Sequence, residues 1–357
     1  MTSTTLPGAS PIEHSGGVGA TTTPDLGDTR ADFQALLAGC GVYDLSRRAK
    51  IAVTGGDRVR WLNGMATNNV RDLAPGHGVY AFLLDAQGHI QADLYAFQRG
   101  DSLLVDTELR QREKVLQLFD RYIIADDVEI ADISGKLTAL GLTGPESSHV
   151  LERAAIAVPD LACLQFADAT WQHAGQQKTV TLLRSGEEAG ESWQVWIAPE
   201  HVSELWDTLL QAGARPTGTA ALNLFRISRG IPQFGVDIRE RDLPQETGQT
   251  RALNFTKGCY LGQEIVERIR SRGAVHRQFT AFAVEGALPE PGTKILAREN
   301  KEENKEEKEA GEITSSAILP LPGGDRAIAL GYLRREAAGK NLRAGTAKLK
   351  PASLPLA

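Results

Sequence analysis

Short helices alternate with apolar strands along this chain, and the strands come in adjacent pairs. Strands are predicted at residues 78–84 and 90–98, with turn residues Asp85 to Gly88 between them. Strands joined by a tight turn pair antiparallel, whereas a doubly wound parallel sheet needs a helix in each connection. The pattern therefore predicts the α+β class rather than a doubly wound sheet.

The chain changes character near residue 275, after a second block of α+β pattern. Gly and Pro turns then separate short predicted strands, which is typical of a small β-barrel or sandwich. A charged segment, residues 298–312, interrupts this region and is predicted to be a solvated loop, with an acidic partner-docking site as the alternative. The predicted strands cover residues 277–284, 293–297, 311–317, 326–333 and 346–350.

Composition and charge limit the classes of protein. Of the 357 residues, 41% are hydrophobic and 24% are charged, which is ordinary for a globular protein, and the net charge of −6 argues against non-specific nucleic-acid binding by the whole surface. Residues 1–29 are rich in Thr, Gly, Ser and Pro and are predicted to be a disordered tail. No run of 18 apolar residues occurs, so no membrane span is expected.

Cys40, Cys163 and Cys259 are too far apart for a disulfide framework or a metal motif, and such isolated thiols suggest a cytoplasmic protein.

Residues 257–264, Lys-Gly-Cys-Tyr-Leu-Gly-Gln-Glu, point most directly to chemistry. Cys259 lies between Gly258 and what is predicted to be the first turn of a helix. The free N–H groups and positive end of such a helix would favour a thiolate, and Lys257 would add a cation that acts in the same direction. The alternative is that Cys259 is a small buried hydrophobic residue, as most cysteines are.

This stretch resembles the signature K-G-C-x-x-G-Q-E-x-x-x-R of the YgfZ family. That family consists of folate-binding relatives of the aminomethyltransferase (T-protein) of the glycine cleavage system, and it is linked to the assembly or repair of iron–sulfur proteins. Further resemblance to T-protein-like domains extends in pieces over residues 40–350. The residues of the motif are Lys257, Gly258, Cys259, Tyr260, Gly262, Gln263, Glu264 and Arg268.

The resemblance implies two folate-binding subdomains, residues 30–140 and 141–274, and a C-terminal β-barrel, residues 275–357, around a central channel. Tetrahydrofolate is the implied ligand, and iron–sulfur client or assembly proteins are the implied partners, with an effect on tRNA modification through iron–sulfur enzymes. Cys259 would either hold iron or an iron–sulfur cluster transiently or undergo redox or one-carbon chemistry, since one thiolate is too few ligands for a stable cluster.

Asp93 lies in a predicted strand, and the alternation alone is equally consistent with a solvent-facing position. The resemblance aligns it with the T-protein stretch Gly-Gly-x-x-Asp-Asp-Leu, which holds the catalytic aspartate, although the first Asp of the pair is Ala92 here. A carboxylate at that position is implied to bind the pterin or to assist transfer of a one-carbon unit.

A second stretch, which contains Arg226, Ser228 and Glu246, resembles the T-protein pattern L-R-x-E-x-G…G-x-D-I…P-x-E. The resemblance makes all three candidate folate contacts. Ser228 stands where T-proteins have the acid that binds the pterin ring, and this departure counts against aminomethyl transfer. For Arg226 the alternative is a structural arginine that anchors the edge of a sheet.

Five basic residues follow the cysteine motif, and they have two interpretations. Glu264 and Arg268 have i,i+4 spacing, so ion pairing along one helix accounts for part of the cluster. Recognition of an anion, either the folate glutamate tail or an RNA phosphate, is the alternative. The cluster consists of Arg268, Arg270, Arg272, His276 and Arg277.

Three functions therefore stay open from the sequence. The leading hypothesis is a folate-binding protein that assists iron–sulfur proteins through Cys259. The first alternative is a tetrahydrofolate-dependent aminomethyltransferase, and the second is an RNA-binding or interaction module. Whether the protein turns over a substrate is left open.

Overall fold

A computed structural model describes residues 27–186, 190–273, 275–299 and 307–355. Most of the predicted N-terminal tail lies outside these ranges. None of the described helices has the length and apolar composition needed to cross a membrane. The helices are α1 Thr29–Ala38, α2 Arg58–Met65, α3 Arg112–Tyr122, α4 Ser147–Arg153, α5 Val202–Gln211, α6 Thr219–Arg229 and α7 Gln263–Arg272.

The strands form two open sheets and one closed barrel. In chain order, the strands of the two sheets are β1 Gly41–Asp44, β2 Arg48–Thr54, β3 Gly78–Leu84, β4 Ile90–Gln98, β5 Leu103–Glu108, β6 Glu129–Asp132, β7 Thr138–Thr143, β8 Phe166–His173, β9 Gln176–Arg184, β10 Ser192–Ile197 and β11 Arg215–Pro216. The strands of the barrel are β12 Arg277–Glu285, β13 Lys294–Arg298, β14 Lys308–Leu321, β15 Gly324–Arg334, β16 Asn341–Ala344 and β17 Ala347–Ala352.

The five-stranded sheet has the order β3-β4-β5-β2-β6, and the six-stranded sheet has the order β11-β1-β7-β10-β9-β8. Strand β7 is buried along its whole length and pairs antiparallel with β1 on one side and β10 on the other. Helix α5 contributes Leu205, Trp206 and Leu209 to the apolar core on this sheet. The predicted strands 78–84 and 90–98 have the bounds found for β3 and β4.

The C-terminal strands close into a barrel in the order β12-β15-β14-β13-β16-β17. Register shifts interrupt the β13–β14 and β14–β15 ladders, and such bulges give strands the curvature that closure requires. The interior is apolar, with Phe282, Ile295 and Ile313 fully buried. Together with the two sheets and their helices, this barrel confirms the predicted α+β fold class with a small C-terminal β-barrel.

The charged segment predicted as a loop over residues 298–312 is shorter than expected. Arg298 ends β13, and Lys308–Leu321 form β14, so both ends of the segment belong to barrel strands. Glu312 also forms ion pairs with Arg239 and Lys294, which explains why an acidic residue is stable in this strand. Residues 300–306 lie outside the described residues.

The chain divides into two compact units whose segments alternate along the sequence. The first unit holds the described residues up to Asn63, together with Asn69–Tyr80 and Leu94–Leu222. The second unit consists of Gly64–Asn68, Ala81–Asp93 and the chain from Asn223 onward. Every candidate site residue, from Asp93 to Arg268, belongs to the second unit. The domain boundaries taken from the family resemblance stay a prediction.

Candidate functional site

Cys259 lies in an exposed loop of the second unit, and its thiol is free. Helix α7 begins at Gln263, after Gly262 in the left-handed conformation with φ of 80°. Tyr260, Leu261 and Gly262 therefore separate the thiol from the helix, and the prediction that Cys259 adjoins the first helical turn is wrong. The reason is that a turn precedes the helix, in which the Gln263 N–H donates to the Tyr260 carbonyl at 3.1 Å and Gly262 has the positive φ.

Asn254 organises the loop that leads to the cysteine. Its Oδ1 accepts hydrogen bonds from the backbone N–H groups of Thr256 and Lys257, both at 2.9 Å, and from the Thr256 hydroxyl at 3.0 Å. This is the Asx turn that asparagine commonly forms. Sequence reasoning missed the role of Asn254, although an asparagine just before a glycine-containing loop is a signal for such a turn.

Lys257 is buried, with 6% of its surface exposed, whereas Cys259 is exposed. The Lys257 Nζ donates hydrogen bonds to the carbonyl oxygens of Ala66 at 2.6 Å and Asn68 at 2.8 Å. It also lies 5.0 Å from the centroid of the Tyr260 ring, within range of a cation–π interaction. The ammonium therefore points into the second unit while the thiol faces outward.

The segment Gly64–Asn68 joins the cysteine loop to strand β3. Thr67 exchanges hydrogen bonds with Phe82 of β3: its N–H donates to the Phe82 carbonyl at 3.0 Å, and its hydroxyl accepts from the Phe82 N–H at 2.9 Å. The same hydroxyl donates to the carbonyl of Ala252 at 2.6 Å, and the N–H of Asn254 donates to the Thr67 carbonyl at 3.1 Å. One buried threonine thus links three parts of the unit.

Two glycines allow the N-terminus of α7 to pack against the turn between β3 and β4. A Cβ on Gly262 would lie 2.5 Å from the carbonyl oxygen of Asp85, and a Cβ on Gly88 would lie 2.8 Å from the Cβ of Ile265. Both glycines also have positive φ, which other residues adopt at a cost. Gly262 of the motif is therefore needed for α7 to contact the β3–β4 turn.

Asp93 lies on the partly open face of β4. Along this strand Ile90, Ala92 and Leu94 are buried, whereas Gln91, Asp93 and Tyr95 are half-buried. Alternate side chains of a strand share a face, so the Asp93 carboxylate and the Gln91 carboxamide of the second unit occur together there. These groups suit a ligand that has amine and amide nitrogens.

Arg226 is engaged with the barrel rather than presented to a ligand. Its guanidinium donates to the Asp237 carboxylate at 2.7 Å and to the Ser315 hydroxyl at 2.9 Å. Asp237 is fully buried and also accepts hydrogen bonds from the hydroxyls of Thr314 at 2.5 Å and Ser315 at 2.7 Å. This network supports the structural alternative for Arg226.

Ser228 is fully buried, and its hydroxyl donates to the carbonyl of Phe225 in its own helix at 2.7 Å. A serine that bonds to the preceding helical turn satisfies its own hydroxyl locally. The position at which T-proteins carry an acid is thus occupied by a small side chain in a packed environment. Nothing in this geometry points Ser228 toward a ligand.

Glu246 belongs to a buried ionic cluster, with 8% of its surface exposed. Arg277 donates to the carboxylates of Glu246 at 3.0 Å and Asp242 at 2.6 Å. The Tyr332 hydroxyl donates to Asp242 at 3.2 Å, and burial together with the nearby Asp242 carboxylate raises the pKa of Tyr332. Through Arg277 and Tyr332, the cluster joins the turn around Glu246 to strands β12 and β15 of the barrel.

The basic residues after the cysteine motif are mostly paired with carboxylates. Arg268 contacts Glu264 at 3.0 Å, which confirms the predicted i,i+4 ion pair, and Arg270 contacts Glu267 at 2.9 Å. Arg277 belongs to the buried cluster, and the side chain of Arg272 lies outside the described part of the structure. Among the described residues, no group of three or more His, Cys, Asp or Glu side chains is arranged to hold a metal ion.

Comparison with known proteins identifies the family to which this fold belongs. The family model described as the GCVT N-terminal domain matches residues 25–257. This covers well over half of the chain, and the protein therefore belongs to that family. The matched region includes Asp93, Arg226 and Ser228 but ends before Cys259.

Similar proteins of known name extend the likeness over most of the chain. An aminomethyltransferase of Rubrobacter xylanophilus is 29% identical over 311 residues, which cover 87% of this chain and 80% of that protein. An aminomethyltransferase of Streptomyces coelicolor is 27% identical over 323 residues, which cover 86% and 82%. The crystal structure of the glycine cleavage system aminomethyltransferase T from Bartonella henselae superposes with a TM-score of 0.79 at 19% identity, covering 94% of this chain and 91% of that one. At that identity the superposition shows a shared fold.

Proposed function

We propose that this protein binds tetrahydrofolate at the Asp93 face of β4 and carries out one-carbon chemistry of the aminomethyltransferase kind. The observation that carries the proposal is the position of Asp93 on a half-buried strand face, beside Gln91, in a chain of the GCVT family. The names of the similar proteins support the reaction class. The same names favour aminomethyl transfer over the iron–sulfur role expected first from the sequence.

Tetrahydrofolate, when bound, supplies the amine nitrogens that accept a one-carbon unit. Asp93 as a carboxylate would hold a protonated amine or take a proton from it. The Nε2 of Gln91 already donates to the Asp85 carboxylate at 3.2 Å and to the His89 carbonyl at 3.4 Å, so Gln91 would offer its Oε1 as an acceptor for the pterin amide N–H.

The other candidate folate contacts do not fit this role. Arg226 and Glu246 are held in ionic networks with Asp237 and Arg277, and Ser228 bonds to its own helix. The family's acid at the Ser228 position has no replacement at that place in this chain. We therefore propose that Asp93 contributes more of the binding free energy here than any of these three residues.

The reaction class is tested with a lipoyl carrier protein that bears an aminomethyl group. The protein and tetrahydrofolate are added, and release of the methylene-folate product is followed. The wild type is expected to turn over, and Asp93→Asn is expected to lose at least about a hundredfold in rate, within the range seen when a proton-transfer group is removed. Asp101→Asn, at an exposed aspartate just after the same strand, is the matched control and should keep the wild-type rate. Absence of turnover by the wild type would contradict the reaction class.

A second candidate function is assistance to iron–sulfur proteins through Cys259, with tetrahydrofolate as ligand. One observation favours it: the thiol is exposed, in a loop that is tied to Gly64–Asn68 by the buried Lys257. A single thiolate cannot hold a stable cluster, so iron or a cluster would be cargo shared with a client or assembly protein.

This second function is tested in a deletion strain by assaying iron–sulfur enzymes and tRNA modifications that depend on them. Cys259→Ser should fold normally and fail to restore these activities. Cys163→Ser, which changes the other exposed thiol, should restore them fully. Full restoration by Cys259→Ser would contradict the iron–sulfur role and leave aminomethyl transfer as the proposal.

The RNA-binding alternative receives less support, because the described arginines of the basic cluster are paired with carboxylates. Salt-dependent binding of RNA remains its test. A cytoplasmic location likewise stays a prediction from the isolated thiols.

A further inference from the structure

We propose that Lys257 is a positioning residue, which fixes the Cys259 loop onto the segment Gly64–Asn68, and that it does not act as the cation that activates the thiol. The inference deepens the proposed role of Cys259, because it states how the chain presents that residue. The sequence pattern had indicated the opposite role, a cation that favours the thiolate.

Lys257 is buried although it carries an ammonium group. An ammonium removed from water must be compensated by hydrogen bonds or an opposite charge. The Nζ atom of Lys257 donates to two backbone carbonyls, those of Ala66 and Asn68, and lies over the Tyr260 ring. These contacts hold the ammonium against the segment Gly64–Asn68.

Neighbouring backbone hydrogen bonds join the same two pieces of chain. The N–H of Leu261 donates to the carbonyl of Gly64 at 3.0 Å, and the N–H of Asn254 donates to the carbonyl of Thr67 at 3.1 Å. These bonds flank Lys257 on both sides in sequence. Lys257 adds its side-chain hydrogen bonds between these two backbone hydrogen bonds. We call the whole set of bonds between the cysteine loop and Gly64–Asn68 the seam.

These contacts hold the short exposed stretch that contains the cysteine. The exposed Gly258 and Cys259 lie between the buried Lys257 and the buried Tyr260. A two-residue exposed stretch anchored by a buried side chain on each side has few conformations open to it. Lys257 and Tyr260 therefore determine how the thiol is presented, and the cation–π contact between them couples the two anchors.

The experiment compares Lys257→Met with Lys257→Gln in a Cys163→Ser background, where Cys259 is the exposed thiol and Cys40 is buried. Glutamine is neutral but its amide still donates to a carbonyl, whereas methionine keeps only the length of the side chain. Hydrogen exchange is followed at the amides of Asn254 and Leu261, and alkylation of Cys259 by iodoacetamide is followed at pH 7. Lys348→Met, at an exposed lysine of the barrel, is the control and should match the wild type.

We expect exchange at both amides to rise by about tenfold or more in Lys257→Met, and by less in Lys257→Gln, since the seam opens by local unfolding. Alkylation of Cys259 in Lys257→Gln should stay within about twofold of the wild-type rate, because charge on the lysine is not what sets thiol reactivity. If Lys257→Met does not fold, Lys257→Gln alone decides between the two roles.

Two results would overturn the inference. One is a large fall in alkylation of Lys257→Gln with exchange at wild-type rates, which would make Lys257 an activating cation. The other is wild-type exchange in Lys257→Met, which would remove the positioning role. Neither readout uses folate or a client protein, so failure here is distinct from failure of the proposed function.

Discussion

The polar residues of the second unit fall into two groups that differ in burial. The side chains of Cys259 and Asp93, which are proposed to be functional, lie at exposed or half-buried positions, and the backbone near them is held by buried neighbours such as Lys257 and Thr67. Around Asp237 and Asp242, the carboxylates are fully buried and receive several hydrogen bonds from the barrel and its flanking segments. The family resemblance alone does not tell which of these polar residues are exposed and which are buried.

A polar residue in a family-like motif can either be presented to a ligand or partner or hold the fold together, which we call assembly. The burial of the residue and its hydrogen-bond partners distinguish the two roles. Arg226 and Glu246 are assembly residues by this criterion, whereas Asp93 and Cys259 are presented. Substitutions should therefore divide into those that unfold the unit and those that leave it folded but inactive.

The largest effect on stability is expected for Asp237→Ala. This change leaves the Arg226 guanidinium and the hydroxyls of Thr314 and Ser315 without their buried acceptor, and removing one partner of a buried ion pair costs about 3–5 kcal/mol. Urea unfolding measures the loss. Glu285→Gln, which breaks the exposed pair with Lys350, is the control and should leave the unfolding midpoint unchanged. Equal midpoints for the two variants would remove the distinction between assembly and surface pairs.

The next effect is expected for Ser228→Glu, which restores the T-protein residue. Because Ser228 is fully buried, the larger acidic side chain should cost about 2–4 kcal/mol through overpacking and burial of a polar group. Ser228→Ala, the matched control, loses a single hydrogen bond and should cost about 1 kcal/mol. Thermal unfolding ranks the two variants. A stable Ser228→Glu protein that binds tetrahydrofolate more tightly would show that this position faces the ligand after all.

The two glycines of the cysteine motif give an internal comparison. Gly262→Ala places a Cβ against the Asp85 carbonyl in a left-handed conformation and should cost more than about 1 kcal/mol. At Gly258 a Cβ would meet nothing within 4 Å, so Gly258→Ala should change stability by less than about 0.5 kcal/mol. The free energies of unfolding of the two variants test the prediction. A reversed order would mean that α7 does not pack on the β3–β4 turn as described.

The smallest effect at neutral pH is expected for Tyr260→Phe. No hydrogen-bond partner for the buried Tyr260 hydroxyl is found among the described residues, so its removal should change stability by less than about 1 kcal/mol at pH 7. Burial, with a smaller effect of the Glu267 charge, raises the pKa of Tyr260 from 10.0 to about 12.

The raised pKa of Tyr260 also gives a pH dependence with a definite sign. Between pH 10 and 12 the unfolded chain releases the phenol proton while the folded chain keeps it, so this group's contribution to stability falls as the pH rises. Tyr260→Phe should lose stability less steeply than the wild type over that range. Parallel stability curves for the two proteins would show that the hydroxyl is solvated when folded.

The sequence predicted those elements that depend on residues only a few positions apart. The β3–β4 hairpin, the Glu264–Arg268 pair and the strand-rich C-terminus all depend on spacing or turn residues within a few positions. The partners of Lys257 could not be predicted in this way, because Ala66 and Asn68 are about 190 residues earlier in the chain. Burial of Ser228 was missed for the same reason, since no local pattern tells which face of α6 is covered.

The central claim is that tetrahydrofolate binds at Asp93, and titration calorimetry tests it most directly. The wild type should bind tetrahydrofolate, and Asp93→Asn should bind about ten- to a hundredfold more weakly, because loss of a hydrogen bond to a charged group costs about 1.5–3 kcal/mol. Asp101→Asn should bind as tightly as the wild type. Equal affinities of Asp93→Asn and the wild type, or no measurable binding by the wild type, would contradict the claim.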